Sequence, residues 1–157
     1  MKKLLSMLLV LVLVLSMVGC GKKDDVFRIG VSQFVEHAAL DASYKGFVDA
    51  LAEAGYVDGE KIKIDYQNAQ GDQSNTSTIA TKLVNDNNDL ILAIATPSAQ
   101  AVANATKDIP VLVTAVTDPY DAGLVESNEV PGGNISGTSD LTPVKKQFEL
   151  LKQLIPD

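Results

Sequence analysis

Short apolar runs alternate with longer amphipathic segments along most of the chain after residue 25. A short continuous apolar run is typical of a strand buried in a parallel sheet, whereas apolar residues three and four apart mark one face of a helix. The runs predict strands at residues 26–34, 62–66, 90–95, 111–116 and 135–138, and the amphipathic segments predict helices at residues 40–54, 76–84, 98–106 and 143–154. This alternation predicts an α/β fold, a doubly wound parallel sheet with right-handed crossovers and helices on both faces.

Residue types at several boundaries support these elements. Gly55 suits the position just after a helix, and the polar residues 69–75 predict a loop. For the last helix, Thr142 is predicted as the N-cap and Pro143 as the first helical residue. The apolar stripe of that helix has no following strand to cover it. Either this helix folds back on the domain or the natural protein continues past Asp157, and of the two we expect the continuation.

The first 25 residues have the pattern of an exported, lipid-anchored protein. Lys2 and Lys3 precede an apolar run at residues 4–18, which is shorter than the ~20 residues of a membrane span but suits a signal peptide. Gly19 followed by Cys20 resembles the bacterial lipobox, in which the cysteine is acylated and the chain is cleaved before it, although Met17 stands where Leu is commonest. We expect a signal peptide at 1–19, a lipidated tether at 20–25 and a location on the extracytoplasmic face of the cell membrane. The alternatives are a secretory signal with a chance cysteine or an uncleaved anchor.

Composition removes several classes of function. The chain has 13 Lys and Arg against 20 Asp and Glu, a formal net charge of −7, which argues against a nucleic-acid partner. A single Cys rules out a disulfide within these residues, one Cys with one His argues against a structural zinc site, and no metal or cofactor is expected. The sequence contains no G-x-S-x-G, G-x-G-x-x-G or Walker A motif, so an enzyme is not expected.

The chemistry is expected at the carboxyl ends of the strands, where open α/β sheets bind ligands. The loops that leave those ends lie at residues 33–41, 68–72, 95–100 and 117–123. Thr96 and Ser98 flank a helix N-terminus, where hydroxyls and free amides could hold a carboxylate; alternatively, one of them is merely the N-cap. Asp118 could pair with an ammonium group, or it could be a turn residue before proline.

Two further groups in these loops have open roles. Glu36 and His37 could supply an acceptor and a switchable donor, or they could be an exposed loop pair. Phe34 and Tyr120 could stack on an aromatic ligand, or they could be rim or core residues.

Several short sequence segments resemble those of a known protein family, and the resemblance extends from the lipobox at Cys20 to the end of the given sequence. They are IGVSQ at 29–33, EHAALD at 36–41, GF at 46–47, AIATPSAQA at 93–101, TDP at 117–119, AGLV at 122–125 and GNISGTSD at 133–140. In order and spacing they resemble the ABC-transporter substrate-binding lipoproteins of the tryptophan/tyrosine type. Ala38 stands where that family usually has proline.

The resemblance implies a type I periplasmic-binding-protein fold, in which two α/β lobes close over a ligand. Residues 26–140 would form the N-terminal ligand-binding lobe, and residues 141–157 would form a crossover helix leading to a second lobe that lies beyond this sequence. The ligand contacts carried over to this lobe are Gln33, Phe34, Glu36, Thr96, Ser98, Thr117, Asp118 and Asp140.

The same resemblance implies the partners and the ligand. The function expected is extracytoplasmic solute binding for an ABC importer. The expected ligand is small and amino-acid-like, an aromatic amino acid, and the expected partners are an ABC permease and the membrane. The alternatives are a lipoprotein sensor that presents a ligand to a membrane receptor and a surface hydrolase that uses Ser98 and His37. The 157-residue chain alone is expected to bind weakly or not at all, because half of the clamp would be absent.

Overall fold

The computed structural model describes residues 26–155, so the predicted signal peptide, Cys20 and the tether lie outside the described residues. Strands and helices alternate through this range as the sequence predicts. The strands are β1 (Phe27–Gln33), β2 (Ile62–Asn68), β3 (Leu90–Ile94), β4 (Val111–Val116) and β5 (Ile135–Ser139). The helices are α1 (Ala38–Glu53), α2 (Gln73–Asn85), α3 (Thr96–Ala105) and α4 (Val144–Leu154).

The strands form one parallel sheet in the order β2-β1-β3-β4-β5. β1 is internal, and its last residue, Gln33, pairs with Asn68 of β2 and with Ile94 of β3. The chain first moves from β1 to β2 on one side and then returns past β1 to β3, so the strand order reverses between β1 and β3. The predicted doubly wound α/β fold is confirmed.

Apolar side chains are buried on both faces of the sheet. On one face, α2 and α3 cover a core that includes Leu83, Ile91, Val102, Val111 and Val113. On the other face, α1 packs over Ile29, Val31, Ile62, Leu92 and Ile94. The residues of α1 that make this contact, Leu40, Tyr44, Phe47 and Leu51, are only partly buried, so this face is less covered than the opposite one.

The start of α2 differs from the prediction. The helix begins at Gln73, within the segment predicted as loop, because Asp72 acts as its N-cap. The Oδ1 atom of Asp72 accepts hydrogen bonds from the backbone N–H groups of Ser74 (2.7 Å) and Asn75 (3.1 Å). These bonds satisfy amides that have no partner inside the helix, and they allow a polar segment to be helical.

The predicted N-cap of the last helix is wrong. α4 begins at Val144, and Pro143 occupies the capping position with φ −77° and ψ 68°. These angles are those of an inverse γ-turn, and the Val144 N–H donates to the carbonyl oxygen of Thr142 at 2.8 Å. The γ-turn places Thr142 outside the helix, so its side chain does not cap α4.

The apolar stripe of α4 is exposed, as the sequence predicts. Phe148 is 60% exposed and Leu154 is 71% exposed. The other exposed residues of this stripe are Val144, Leu150, Leu151 and Ile155. No helix within residues 26–155 is both long enough and apolar enough to cross a membrane.

A bulge in β4 lies beside Gly137 of β5, a position where the structure has no room for a side chain. The register between the two strands shifts between Val113 and Val116, and Ala115 has a left-handed φ of 54°. Gly137 pairs with Val113, and a Cβ atom at Gly137 would lie 2.0 Å from the Val113 carbonyl oxygen. The backbones of β4 and β5 therefore approach more closely at this point than any residue with a side chain allows.

Candidate functional site

The carboxyl ends of the strands are held together by backbone hydrogen bonds between successive loops. The N–H of Phe34 donates to Ile94 O at 3.3 Å, and the N–H of Gly71 donates to Phe34 O at 2.8 Å. On the other side, the N–H of Asp140 donates to Val116 O at 3.1 Å. The four predicted loops and the segment after β5 therefore form one continuous edge, which contains the reversal between β1 and β3 where ligands bind in this class of sheet.

Gln33 is buried at this edge and organises the first loop. Its side-chain Nε2 donates to Asp41 Oδ1 at 2.6 Å and to Val35 O at 3.0 Å, so both amide protons are used within the protein. Its Oε1 is buried without a hydrogen-bond partner. Gln33 therefore holds the loop to the start of α1 and keeps one acceptor unpaired.

The rest of the first loop separates into a packed residue and exposed ones. Phe34 is partly buried against the core beneath α2 and α3. Glu36 is exposed. His37 is the N-cap of α1, and its Nδ1 accepts a hydrogen bond from the Ala39 N–H at 3.2 Å. The sequence left two roles open for His37, a switchable donor or an exposed loop residue. In the structure it is an exposed loop residue that also caps α1.

The third loop turns sharply into α3. Ala95 is the N-cap, with φ 78° and ψ 152°, a conformation that only glycine adopts without strain. The first hydrogen bond of the helix runs from the Ala99 N–H to Ala95 O at 3.0 Å. The amides of Thr96 and Ser98 in the first turn therefore have no partner within the helix, and Pro97 has no N–H. The strained turn brings this amide-rich end of α3 directly to the end of β3.

Neither hydroxyl of this loop is an N-cap, so the capping alternative is wrong. The cap position belongs to Ala95, which makes no side-chain hydrogen bond. Ser98 is fully buried, and its Oγ has no partner. Thr96 is partly buried at the first helical position.

The fourth loop is built around Asp118. Its Oδ1 accepts hydrogen bonds from Asn128 Nδ2 (2.8 Å) and from the backbone N–H groups of Tyr120 (3.0 Å) and Asp121 (3.3 Å). The hydrogen bond from Asn128, followed by those from the backbone, lowers the pKa of Asp118 below its usual value. Asp118 is thus an ionised turn residue, and the negative charge predicted for binding an ammonium group is present at this edge.

The segment after β5 is joined to the fourth loop. Ser139 Oγ donates to Thr117 O at 2.6 Å and accepts from the Leu141 N–H at 3.1 Å. Thr117 and Asp140 are both exposed. The structure therefore places Thr117, Asp118 and Asp140 on connected loops at one end of the edge, with Gln33, Phe34, Thr96 and Ser98 at the ends of the central strands.

Two roles important for this geometry were not predicted. Asp41 anchors the Gln33 amide from eight positions along the chain, and His37 caps α1. An acidic residue in the first turn of a helix is a signal that sequence patterns do contain. A histidine cap has no comparable signal, because Ser, Thr, Asp and Asn are the preferred caps.

The described residues contain no cluster suited to a metal, and the supposed hydrolytic pair is not assembled. Within residues 26–155, no group of three or more His, Cys, Asp or Glu side chains could hold a metal ion. Ser98 Oγ makes no hydrogen bond, and the Nδ1 atom of His37 accepts from the backbone. A serine nucleophile needs a base within hydrogen-bond reach, so this arrangement does not support hydrolysis.

The chain is similar to proteins that bind small molecules for transport. Residues 28–157 match the family model described as ABC transporter substrate binding protein. The chain is 54% identical over 170 residues to a tyrosine-binding protein of Clostridioides difficile, an alignment that covers 99% of this chain and 49% of that protein. The chain therefore spans about half the length of this curated relative.

The fold is also similar to those of solved substrate-binding proteins. A ligand-free, open substrate-binding protein with adhesive properties from Clostridium difficile is 58% identical with a TM-score of 0.79, over 84% of this chain and 45% of that chain. An ABC domain in complex with L-Trp from Streptococcus pneumonia is 51% identical with a TM-score of 0.78, over 83% of this chain and 44% of that chain.

Proposed function

This chain belongs to the ABC transporter substrate-binding protein family, and we propose that its domain forms one wall of a cleft that holds an aromatic amino acid. Members of the family bind substrates and are not enzymes. This agrees with the structure, in which Ser98 Oγ has no hydrogen-bond partner and His37 Nδ1 accepts from the Ala39 N–H. The observation that carries the proposal is the strained turn at Ala95, which delivers the N-terminus of α3 to the edge of the sheet where its order reverses.

An α-amino acid fits the charges at this edge. Its carboxylate would lie at the N-terminus of α3, where the amides of Thr96 and Ser98 and the helix dipole favour a negative charge. Its ammonium group would face the carboxylates at the other end of the edge, those of Asp118 and Asp140. Glu36 would add a third acceptor in the first loop.

An aromatic side chain is supported by Phe34 and by the relatives. Phe34 lies at the end of β1 and is partly exposed, so a planar ligand group would have a ring to pack against. One relative is named a tyrosine-binding protein, and another was solved with L-Trp. Gln33 would act through Asp41 and Val35 by setting the shape of the loop that carries Phe34.

We further propose that binding works by closure against a second lobe. The relatives are about twice as long as this chain, which is consistent with a cleft formed by two lobes. A ligand that contacts both walls would favour the closed state by its difference in affinity for the two states, and an ABC permease would engage that state. The protein would be an importer receptor, acylated at Cys20 and held on the extracytoplasmic face of the cell membrane.

Calorimetry on the natural protein purified from its membrane tests the ligand. L-Tyr, L-Trp and L-Phe should bind, and L-Ile should bind weakly or not at all. Thr96→Val keeps the shape of the side chain but removes its hydroxyl, and it should weaken binding by about tenfold, the cost of a hydrogen bond to a charged group. Thr81→Val is the matched control, because Thr81 lies on the exposed side of α2 and its Oγ1 bonds to Ser77 O at 3.0 Å.

The outcome is decisive for the ligand class. Equal affinity for L-Ile and the aromatic amino acids would contradict aromatic selectivity. Unchanged affinity in Thr96→Val would contradict a hydrogen bond from the Thr96 hydroxyl to the ligand carboxylate. Residues 21–157 alone should bind none of these ligands tightly, and a micromolar dissociation constant for that piece would contradict the need for a second lobe.

A further inference from the structure

Three side chains with apolar surface are exposed at the amino-terminal edge of the sheet. Phe27, the first residue of β1, is 46% exposed, Tyr56 is 49% exposed and Val57 is 40% exposed. We call these three residues the amino-end patch. Exposed apolar residues that lie singly need no explanation, whereas a group with two aromatic rings suggests a contact surface.

Lys61 contacts two of the three residues of the amino-end patch, Phe27 and Tyr56. Its carbonyl oxygen accepts a hydrogen bond from the Phe27 N–H at 3.2 Å, and its Nζ lies 5.5 Å from the centre of the Tyr56 ring. Val57 follows Tyr56 directly, in the turn after α1. The patch therefore combines apolar rings with a phenol hydroxyl and a lysine ammonium, groups that can face polar headgroups while the rings enter apolar surroundings.

The patch lies next to the proposed anchor. Residues 20–26 span at most about 25 Å whatever their conformation, because an extended chain covers ~3.3–3.6 Å per residue. Acyl chains on Cys20 would therefore hold Phe27 within about 25 Å of the bilayer surface. The candidate ligand edge lies at the other end of the strands, and a seven-residue strand such as β1 is about 23 Å long.

We propose that, until the permease engages the protein, the amino-end patch rests in the headgroup region of the membrane and orients the domain with its ligand edge away from the lipid. This inference rests on the proposed acylation of Cys20, which supplies the anchoring energy. Tyrosine and other amphipathic aromatic residues favour the interface between water and lipid. The patch then determines which surface of the tethered domain meets the bilayer.

The charges around the patch indicate an ordinary bilayer surface as the partner. Asp58 and Glu60 directly precede Lys61 and Lys63, and Arg28 lies beside Asp89, so no strong positive field attracts anionic lipid. Apolar and aromatic insertion should therefore dominate. The contact is expected to be similar on phosphatidylcholine and on phosphatidylglycerol vesicles.

These 157 residues contain no tryptophan, so a tryptophan placed in the patch reports on this part of the protein once the emission of the unsubstituted protein is subtracted. Phe27→Trp and Tyr56→Trp each place one fluorophore in the patch. Tyr120→Trp is the matched control, because Tyr120 is 56% exposed and lies in the loop after β4, at the ligand edge. Each acylated full-length variant is reconstituted into phosphatidylcholine vesicles with and without brominated lipid, and acylation is verified by intact mass.

Bromine quenching should at least halve the emission at positions 27 and 56 and shift it to shorter wavelength, as for an indole at the lipid interface, with little change at position 120. Circular dichroism verifies that each variant is folded. Two patch variants are used so that the test remains possible if one of them does not fold. Equal quenching at all three positions, or none at 27 and 56 in acylated protein, would overturn the orientation while leaving the anchor intact.

Two other outcomes also overturn the proposal. A Cys20 without acyl chains would refute the anchor and the patch together, and the mass measurement identifies that case. If positions 27 and 56 are shielded without bromine quenching and the protein sediments as a dimer, the patch binds a second copy of the chain instead of lipid.

Discussion

The side chains of Gln33 and Asp41 are joined by a 2.6 Å hydrogen bond that connects the end of β1 to the first turn of α1. Gln33 is buried, so its amide has no access to water if that bond is lost. The bond therefore positions the loop that carries Phe34 and Glu36, and the shape of the candidate site depends on a residue that need not touch a ligand.

Asp41→Ala should lower the free energy of unfolding by about 1–3 kcal/mol, because it leaves a buried amide proton without its charged acceptor. Asp41→Asn retains an acceptor oxygen and should cost less. Urea unfolding monitored by circular dichroism gives both values. Asp49→Ala, at an exposed position of α1 where the side chain pairs with Lys45, should change stability by less than about 0.5 kcal/mol. Equal losses at positions 41 and 49 would contradict a specific role for the Gln33–Asp41 bond.

Gly137→Ala should destabilise the domain by on the order of 3 kcal/mol or more, because the added Cβ would meet backbone atoms of β4 that cannot move independently. The nearest of these is the Val113 carbonyl oxygen at 2.0 Å. Gly133→Ala is the control, since a Cβ at that position has nothing within 4 Å. Thermal unfolding should separate the two variants clearly. Similar melting temperatures would show that β4 and β5 do not approach as closely as described.

Ala95→Gly should preserve or raise stability, because glycine relieves a left-handed backbone conformation that costs ~1–3 kcal/mol in other residues. Ala93→Gly, two residues earlier in the buried part of β3, should instead lose ~1 kcal/mol, the usual cost of glycine inside a strand. Chemical denaturation of both variants provides the comparison. A loss at position 95 equal to that at 93 would mean that the turn into α3 is not strained.

Asp72 should make the stability of the domain depend on pH. Hydrogen bonds from the Ser74 side chain and from the backbone N–H groups of Asn75 and Ser74 lower the pKa of Asp72 in the folded protein. Because this pKa lies below that of the unfolded chain, the carboxylate stabilises the fold above about pH 4, and the stabilisation is lost as the pH falls through the folded pKa.

The comparison for Asp72 is with Asp72→Asn, which keeps an acceptor but has no charge. The difference in melting temperature between the two proteins should be largest near neutral pH and should shrink as the pH falls below about 4. Asp121→Asn corrects for the general loss of one negative charge. A difference that does not vary between pH 7 and pH 3 would contradict the ionic contribution of this cap.

The sequence pattern predicted the sheet well because apolar runs report burial directly. β4 has the predicted bounds, and the predicted strands and helices occur in the predicted order. The errors lie where backbone geometry overrides residue preference. No residue type signals that Ala95 has a positive φ, or that Pro143 forms a γ-turn and displaces Thr142. Asp72 did carry a capping signal, but the polar residues after it concealed the start of α2.

The sequence predicted which loops lie together at the candidate site, but it did not predict the hydrogen bonds that their side chains make. The rule that ligands bind at the carboxyl ends of parallel strands selected four loops, and the structure brings these loops to one edge of the sheet. The bond between Gln33 and Asp41 and the burial of Ser98 depend on how α1 and α3 pack, which a linear pattern does not contain. The roles of the eight predicted ligand residues stay predictions.

The strand order also determines when the domain can fold. β1 emerges first from any translocating or growing chain, yet it lies inside the sheet, between β2 and β3. Its contact with the β3 side is made by residues as far apart as Arg28 and Asp89, 61 positions along the chain, through a 2.8 Å hydrogen bond. Such distant pairings are slow to form. One edge of β1 must therefore stay unpaired until Leu90–Ile94 arrives, and during that interval the protein is most exposed to aggregation and proteolysis.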